Sequence, residues 1–203
     1  MSNTTKRLLT EYFPLQFNRQ DLNEAVKGNG TFSIRAILQR ANSKNQNGRV
    51  YPKEILMREA SKYAQEFVKN RRSLGELDHP AERTVVNLAN VSHLISEIHW
   101  EGDDLVGNLE ILSTPNGNIV KELLRNGVQL GVSSRGIGSV SQIGEGTDKV
   151  EDDYNLVCFD IVSNPSTQGA FLGESVNHSL QENKAARING LITDFFTEIG
   201  KKS

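Results

Sequence analysis

Two adjacent serines lie in a run of small residues that could present a nucleophile. The run Gly131–Ser139 places Ser133 and Ser134 directly before Arg135 and Gly136. A glycine after a serine permits sharp backbone geometry, in which main-chain N–H groups converge on a developing oxyanion. Adjacent side chains of an extended chain face opposite ways, so only one serine can meet a given base. A glycine-bearing bend or bulge in a strand has the same composition, and that alternative stays open.

A serine nucleophile needs a base within hydrogen-bond reach, and histidine is the usual one. The chain has four histidines. A structural or surface imidazole is expected for His93 and His99, which lie in an alternating strand pattern, while His178 lies in a polar stretch. His79 differs because it follows the turn-rich stretch Gly75–Asp78, and such loops present side chains to clefts. His79 is therefore the candidate base, with a structural role as the alternative.

The elements that must position these residues follow from hydrophobic periodicity, which predicts strands and helices in one chain. The first strand is expected to start at Thr31, and Ser134-Arg135 is expected to connect two strands. Strands are predicted over 31–38, 90–100, 105–112, 128–133, 136–143 and 155–162, and helices over 52–70 and between the caps 113–115 and 126–127. A last amphipathic helix is predicted over 185–200. The pattern indicates an α+β domain.

The composition is that of an ordinary globular protein of 203 residues, with 36% hydrophobic and 24% charged residues. Basic and acidic residues number 23 and 25 and neither sign forms a long block, which argues against a nucleic-acid-coating role. The single cysteine, Cys158, excludes an internal disulfide, and no Cys and His spacing predicts a zinc site. No stretch approaches the roughly 20 apolar residues of a membrane span. We expect a cytosolic protein without metal or cofactor.

Four motifs, in their order and spacing, resemble the prohead core proteases of T4-like tailed phages. The motifs are Asn47–Pro52 (NGRVYP), Gly75–Pro80 (GELDHP), Gly131–Gly136 (GVSSRG) and Phe159–Ser166 (FDIVSNPS). The resemblance covers about residues 31–170. It implies a procapsid-protease fold distantly like the herpesvirus assemblins, with a β-barrel-like sheet flanked by helices.

The resemblance also implies roles for individual residues. Ser134 would be the nucleophile, since Ser134-Arg135-Gly136 satisfies the Ser-x-Gly pattern of the wider family, and His79 would be the general base. The oxyanion would lie against Arg135 and Gly136, although the Arg135 side chain could instead face solvent. Asp160 is the first choice and Glu76 the second for the group that orients His79. A purely structural role for Asp160 remains open.

What the family acts on follows from the same resemblance. Its members cut scaffold and capsid proteins after glutamate in Leu/Ile-x-Glu sequences inside the prohead, within the host cytoplasm, and finally cut themselves. Such triplets place candidate autocleavage sites at Glu11, Glu174 and Glu182. The implied organisation is an N-terminal segment 1–30, a protease domain 31–175 and a tail 176–203, the first and last removable. The family likeness further implies a homo-oligomer, and neither a membrane nor a specific nucleic acid as partner.

Two other functions compete with this interpretation. The first is a non-catalytic protein on the same fold that interacts with capsid or scaffold, in which the serine and histidine are structural. The second is an esterase or lipase, which the absence of a Gly-x-Ser-x-Gly elbow disfavours. The terminal helix over 185–200 has two interpretations as well. It either docks on scaffold through its apolar stripe or packs on its own domain.

Overall fold

The computed structural model describes residues 5–15, 32–78 and 84–163, which form an α+β fold. In chain order the strands and helices are β1 (Arg7–Pro14), β2 (Phe32–Arg40), β3 (Arg49–Val50), α1 (Lys53–Tyr63), β4 (Leu74–Glu76), β5 (Val91–Glu101), β6 (Asp104–Ile111), α2 (Pro115–Arg125), β7 (Gly131–Gly138), β8 (Val140–Gly144), β9 (Thr147–Val150) and β10 (Asn155–Val162). The predicted α+β class is confirmed. The predicted boundaries near residues 30 and 175 lie outside the described residues, as does the predicted terminal helix.

Three sheets build the domain, in the orders β1-β7-β10, β2-β6-β5-β4 and β3-β9-β8. The first two are antiparallel throughout. They are joined at a single parallel bridge between Leu77 and Ile161, beside which the Asp78 N–H donates to the Ile161 carbonyl at 2.7 Å. The described strands do not close into a barrel. The bridge brings the chain that follows β4 next to the end of β10.

The main core lies between these sheets and the two helices. In β2 the alternate residues Phe32, Ile34, Ala36 and Leu38 are buried, as the period of a half-buried strand requires. They pack with buried residues of β5, β6, α2, β7 and β10 in one cluster. Each large apolar side chain so buried contributes about 1.5–3 kcal/mol to folding. This burial holds β7, and with it Ser134, in the middle of the molecule.

Both helices form where the sequence predicts them. α1 begins after Pro52, buries Ile55, Leu56, Ala60 and Tyr63, and continues as a π-helical turn, Ala64–Val68. The hydroxyl of Thr114 caps α2 by accepting from the Gly117 N–H at 3.1 Å. After α2 the chain turns at Gly127, whose φ of 76° suits glycine. The predicted helices are thereby confirmed.

Two strand predictions are wrong. The first strand is β1 rather than β2. The sequence did not indicate β1 because its inward-facing residues are Leu9 and Glu11, and the charged glutamate interrupts the alternation of apolar and polar residues. The stretch Ser134-Arg135 does not connect two strands but lies within β7, which runs unbroken from Gly131 to Gly138. The small residues of this run accommodate neighbouring side chains rather than a turn, since a Cβ at Gly131 would lie 1.9 Å from the Tyr12 ring.

Candidate functional site

Ser134 lies at the centre of β7, the middle strand of its sheet. It pairs with Glu11 of β1 on one edge and with Phe159 of β10 on the other. Its side chain is fully buried, and its hydroxyl donates to Gln39 Oε1 at 2.9 Å. A peptide cannot reach Ser134 in this conformation. The described state is therefore closed over the candidate nucleophile.

Gly136 and Ser133 have different surroundings. A Cβ at Gly136 would lie 2.4 Å from the Tyr154 ring, so the glycine of the Ser-Arg-Gly run makes room for this tyrosine. Ser133 is also buried, and it pairs with Tyr12 and Asp160 on the face of the sheet opposite Ser134. The two serines thus lie in separate environments, as strand alternation requires.

Arg135 is fully buried on the face opposite Ser134, between two carboxylates. Its Nη2 donates to Glu76 Oε1 at 3.0 Å and to Asp160 Oδ1 at 3.1 Å, and its Nε lies 2.9 Å from Asp160 Oδ2. Burial opposes the charge, but the electrostatic interactions with Cys158 and Asp160 and the hydrogen bonds to Glu76 and Asp160 raise the pKa of Arg135 overall. The alternative of a solvent-facing Arg135 is wrong. The predicted oxyanion role stays a prediction, and the described contacts of the guanidinium are with the two carboxylates and the Cys158 thiol.

The carboxylates beside Arg135 are held by further donors. Asp160 accepts from the Glu76 backbone N–H at 3.0 Å. Glu76 accepts from the Asn87 N–H at 3.0 Å and from Asn90 Nδ2 at 3.2 Å. Burial works to raise the pKa of Glu76, but the Asn87 hydrogen bond and Arg135 outweigh it, so that the pKa is lowered. Both candidates for the acid member of a triad, Asp160 and Glu76, therefore lie in one buried cluster.

The candidate base, His79, lies outside the described residues, and its role stays a prediction. Asp78 precedes it with a φ of 62°, and its backbone N–H donates to Ile161. The chain therefore enters the His79 segment from the edge of β10, one residue along from Asp160.

The two histidines within the described residues, His93 and His99, differ in their surroundings. His93 is fully buried, with Nδ1 2.9 Å from the Ser92 hydroxyl and Nε2 3.1 Å from the Phe159 carbonyl. Burial lowers its pKa to about 4, so His93 is neutral at pH 7 and its Nε2–H donates to Phe159. His99 is exposed and pairs with Glu101. The structural or surface interpretation of both is confirmed.

The carboxylate of Glu11 is bound by several side-chain donors, which the sequence did not predict. Its carboxylate accepts from Arg49 Nη1 at 2.8 Å, from the Tyr51 hydroxyl at 2.8 Å and from Asn47 Nδ2 at 2.7 Å. These three partners belong to the NGRVYP motif, and Gly48 between them has a φ of 75°. Glu11 is buried within β1, so it lies inside the first strand and not before it. Cleavage after Glu11 stays a prediction, while Glu174 and Glu182 lie outside the described residues.

A pocket of about 440 Å³ lies between the end of α1, β4 and the start of β10. Apolar parts of its wall come from Tyr63, Phe67, Leu74, Val85 and Leu156. Leu156 pairs with Gly136, two residues beyond Ser134, so one residue of the wall belongs to the strand next to β7. Within the described ranges, no group of three or more His, Cys, Asp or Glu side chains could hold a metal ion. No helix described is long and apolar enough to cross a membrane.

Comparison with known proteins defines the class to which this fold and site belong. A family model described as prohead core protein serine protease matches residues 16–181, and the chain belongs to this family. The resemblance seen in the sequence is thereby confirmed. The prohead core protein protease of Enterobacteria phage T4 is 34% identical over 142 residues, which cover 68% of this chain and 66% of that protein's length, just under two thirds.

The fold has a solved counterpart. The structure of the bacteriophage T4 capsid assembly protease matches with a TM-score of 0.68 and 26% sequence identity. The match covers 79% of this chain and 99% of the T4 chain. The predicted procapsid-protease fold is confirmed.

Proposed function

We propose that this chain is a serine endopeptidase that cleaves scaffold and capsid proteins inside the phage prohead during head maturation. Family membership and the printed names of the T4 relatives support this function. The structural observation that carries it is the position of Ser134. The run Ser134-Arg135-Gly136, which satisfies the family's Ser-x-Gly pattern, lies on the central strand of a matching fold, and the serine hydroxyl donates to the Gln39 side chain.

The proposed mechanism is acyl transfer from peptide to Ser134. His79 takes the Ser134 proton, the acyl-enzyme forms, and His79 returns the proton to the departing amine before water releases the product. Asp160 is the proposed acid that orients His79, with Glu76 as the second choice. Because Arg135 binds both carboxylates, it would hold either one in place.

The closed state of Ser134 supports a latent form of the enzyme. Acylation requires the carbonyl carbon of a peptide to contact the hydroxyl, and the fully buried Ser134 offers no access. Some part of the protein must move before Ser134 reacts. The same burial is the observation that favours the non-catalytic alternative, so chemistry at Ser134 has to be measured.

The proposed specificity is cleavage after glutamate in Leu/Ile-x-Glu sequences, including those of the chain itself. Proteolysis requires an extended and accessible backbone. Glu11 lies in a paired strand with its carboxylate bound by three side chains, so the folded domain protects this site. We therefore expect self-cleavage after Glu174 or Glu182 to precede cleavage after Glu11. The protein would act within the prohead and self-associate, as the family likeness implies.

The pocket beside β10 is the proposed site for an apolar side chain of the substrate. Part of its wall is apolar, and Leu156 of that wall pairs with Gly136, two residues beyond Ser134. Val85 lies on the wall and is 71% exposed, so a ligand in the pocket can contact it.

Intact-mass spectrometry of the purified chain tests the proposed function. Wild type is incubated alone and with scaffold protein, beside Ser134→Ala, His79→Ala and the matched control Ser133→Ala. We expect wild type and Ser133→Ala to lose terminal fragments after glutamate, while Ser134→Ala and His79→Ala stay whole. Intact masses for all four proteins, with no labelling of Ser134 by a serine-directed phosphonate, would favour the non-catalytic alternative.

A further inference from the structure

The side chain that meets the Ser134 hydroxyl comes from a bulge in β2. The pairing of β2 with β6 shifts register between Ile37 and Gln39, so that Leu38 and Gln39 are consecutive and both buried. A regular strand would turn one of the two outward. Bulges re-aim single side chains and are frequent beside active sites. This bulge aims the Gln39 carboxamide at Ser134.

Only one of the two polar groups of the Gln39 carboxamide forms a described hydrogen bond. Its Oε1 accepts the Ser134 hydroxyl at 2.9 Å, while its Nε2 is buried without a hydrogen-bond partner in the described part of the chain. An unpaired buried donor is unfavourable and is uncommon in native proteins. The unsatisfied N–H lies on the same carboxamide that contacts the candidate nucleophile. The arrangement is typical of a donor whose acceptor arrives with the substrate.

Two other groups of donors near Ser134, the Arg135 side chain and the β7 backbone, are already engaged. The Arg135 side chain lies on the opposite face, bound to Glu76 and Asp160. The backbone of β7 pairs with β1 along one edge and with β10 along the other. The oxyanion that forms at Ser134 needs donors on the Ser134 face. Gln39 Nε2 lies there without a described partner, on the side chain that contacts the Ser134 hydroxyl, whereas the Tyr154 hydroxyl, also without a described partner, lies against Gly136.

We propose that Gln39 is a catalytic residue whose Nε2–H donates to the oxyanion of the tetrahedral intermediate on Ser134. In the step, Ser134 Oγ bonds to the peptide carbonyl carbon and its proton passes to His79. The electron pair of the carbonyl π bond moves to the oxygen, which accepts from Nε2–H. On collapse that pair re-forms the C=O bond, the C–N bond breaks and His79 protonates the amine. The inference rests on the proposed function.

Two substitutions separate donation from positioning. Gln39→Glu keeps an acceptor for the Ser134 hydroxyl but has no N–H donor when ionised, and Gln39→Met removes both groups at similar volume. With a fluorogenic peptide carrying a Leu-x-Glu sequence, we expect kcat to fall by roughly 10²–10³-fold in both variants, with KM little changed. The exposed Gln142→Met is the matched control and should keep wild-type kcat. Thermal unfolding of each variant shows that it is folded.

A second measurement uses the wild-type protein and so does not depend on a folded variant. A peptide aldehyde of the same sequence forms a tetrahedral adduct on the serine, and the Gln39 side-chain amide is followed by ¹H–¹⁵N NMR. We expect a downfield shift of one Nε2 proton on adduct formation, and a loss of aldehyde affinity in both variants that matches the loss of kcat.

Three results would overturn the inference: wild-type kcat in Gln39→Glu, faster turnover in both variants, or an amide resonance that the adduct leaves unchanged. Each leaves the proposed function standing, provided that wild type cleaves the peptide and Ser134→Ala does not. A wild type that neither cleaves nor reacts with the aldehyde, even with scaffold added, removes the proposed function and this inference together.

Discussion

The Tyr51 hydroxyl donates to the Glu11 carboxylate at 2.8 Å and thereby ties the NGRVYP motif to the first strand. Arg49 and Asn47 of the same motif bind the same carboxylate. Since β1 pairs with β7 at Ser134, this cluster fixes the strand that flanks the candidate nucleophile. A motif that resembles a functional signature thus has a structural task.

Removing the Glu11 carboxylate is expected to destabilise the domain strongly. Glu11→Ala leaves Arg49 and Tyr51 without their acceptor in a largely buried site, and loss of one partner of such a pair costs about 3–5 kcal/mol. Urea denaturation at pH 7 measures the loss. The matched control is Arg7→Gln, which breaks the exposed Arg7–Asp148 pair of the same strand and should cost below about 1 kcal/mol. Equal losses in the two variants would contradict the assignment of Glu11 to a buried cluster.

The cluster around Arg135 predicts a loss of stability in acid. The pKa of Glu76 is lowered in the folded state from its ordinary value of 4.5, so the folded protein binds fewer protons there than the unfolded chain. The stabilisation is present above that value and is lost as the pH falls below it through the folded pKa. We expect Glu76→Gln to flatten the stability profile below about pH 4.5, measured by urea denaturation from pH 7 to 3.

His93 predicts a second, separate loss at higher pH. Its folded pKa of about 4 lies below the ordinary histidine value of 6.5, so protonation favours the unfolded chain. The stability that neutral His93 contributes is present above pH 6.5 and is lost as the pH falls towards 4, by about 3 kcal/mol at one pKa unit per 1.36 kcal/mol. His93→Gln should remove this slope, whereas the exposed control His99→Gln should keep it. An NMR titration in which the His93 imidazole protonates near pH 6.5 in the folded state would rule out this account.

Gly75 is predicted to be intolerant of any side chain. A Cβ there would lie 2.1 Å from the Phe159 carbonyl oxygen and 2.4 Å from the His93 ring. Gly75→Ala must displace backbone as well as side chain, so we expect a destabilisation of at least about 1–3 kcal/mol. Gly144→Ala is the control, since its Cβ would meet only Thr147 at 4.0 Å. Thermal unfolding of both variants tests the difference, and an unchanged Tm for Gly75→Ala would contradict the packing described for β4 and β10.

The pocket beside β10 predicts a substitution that affects substrate binding alone. Val85→Asp places a charge on the apolar wall, and we expect KM for the Leu-x-Glu peptide to rise roughly tenfold or more with kcat little changed. Leu88→Asp is the matched control because Leu88 is similarly exposed, at 74%, and does not line the pocket. If both variants have wild-type KM, the pocket does not bind substrate.

The local pattern of the sequence predicts much of the framework. Period-two alternation in β2, and the caps on either side of α2, depend on neighbours a few residues apart, so they are visible in the chain itself. The same pattern did not predict β1, because its inward-facing residue Glu11 is charged. Burial of this carboxylate is favourable only because donors distant in sequence bind it. The sequence did not predict that β7 is unbroken for a related reason. Its glycines make room for the side chains of Tyr12 and Tyr154, which are distant in sequence, and do not form a turn.

The candidate site likewise has features that the sequence predicts and features that only the structure shows. The sequence by itself determined the family, the class of chemistry and the candidate residues Ser134, His79 and Asp160, because these depend on residue types and their spacing. Only the tertiary structure decided that Arg135 lies between Glu76 and Asp160, and that Gln39 meets Ser134. The physical reason is that a buried charge or hydrogen-bonding group is stabilised by groups brought together across strands. Gln39 and Ser134 are 95 residues apart, and local periodicity does not indicate such a contact.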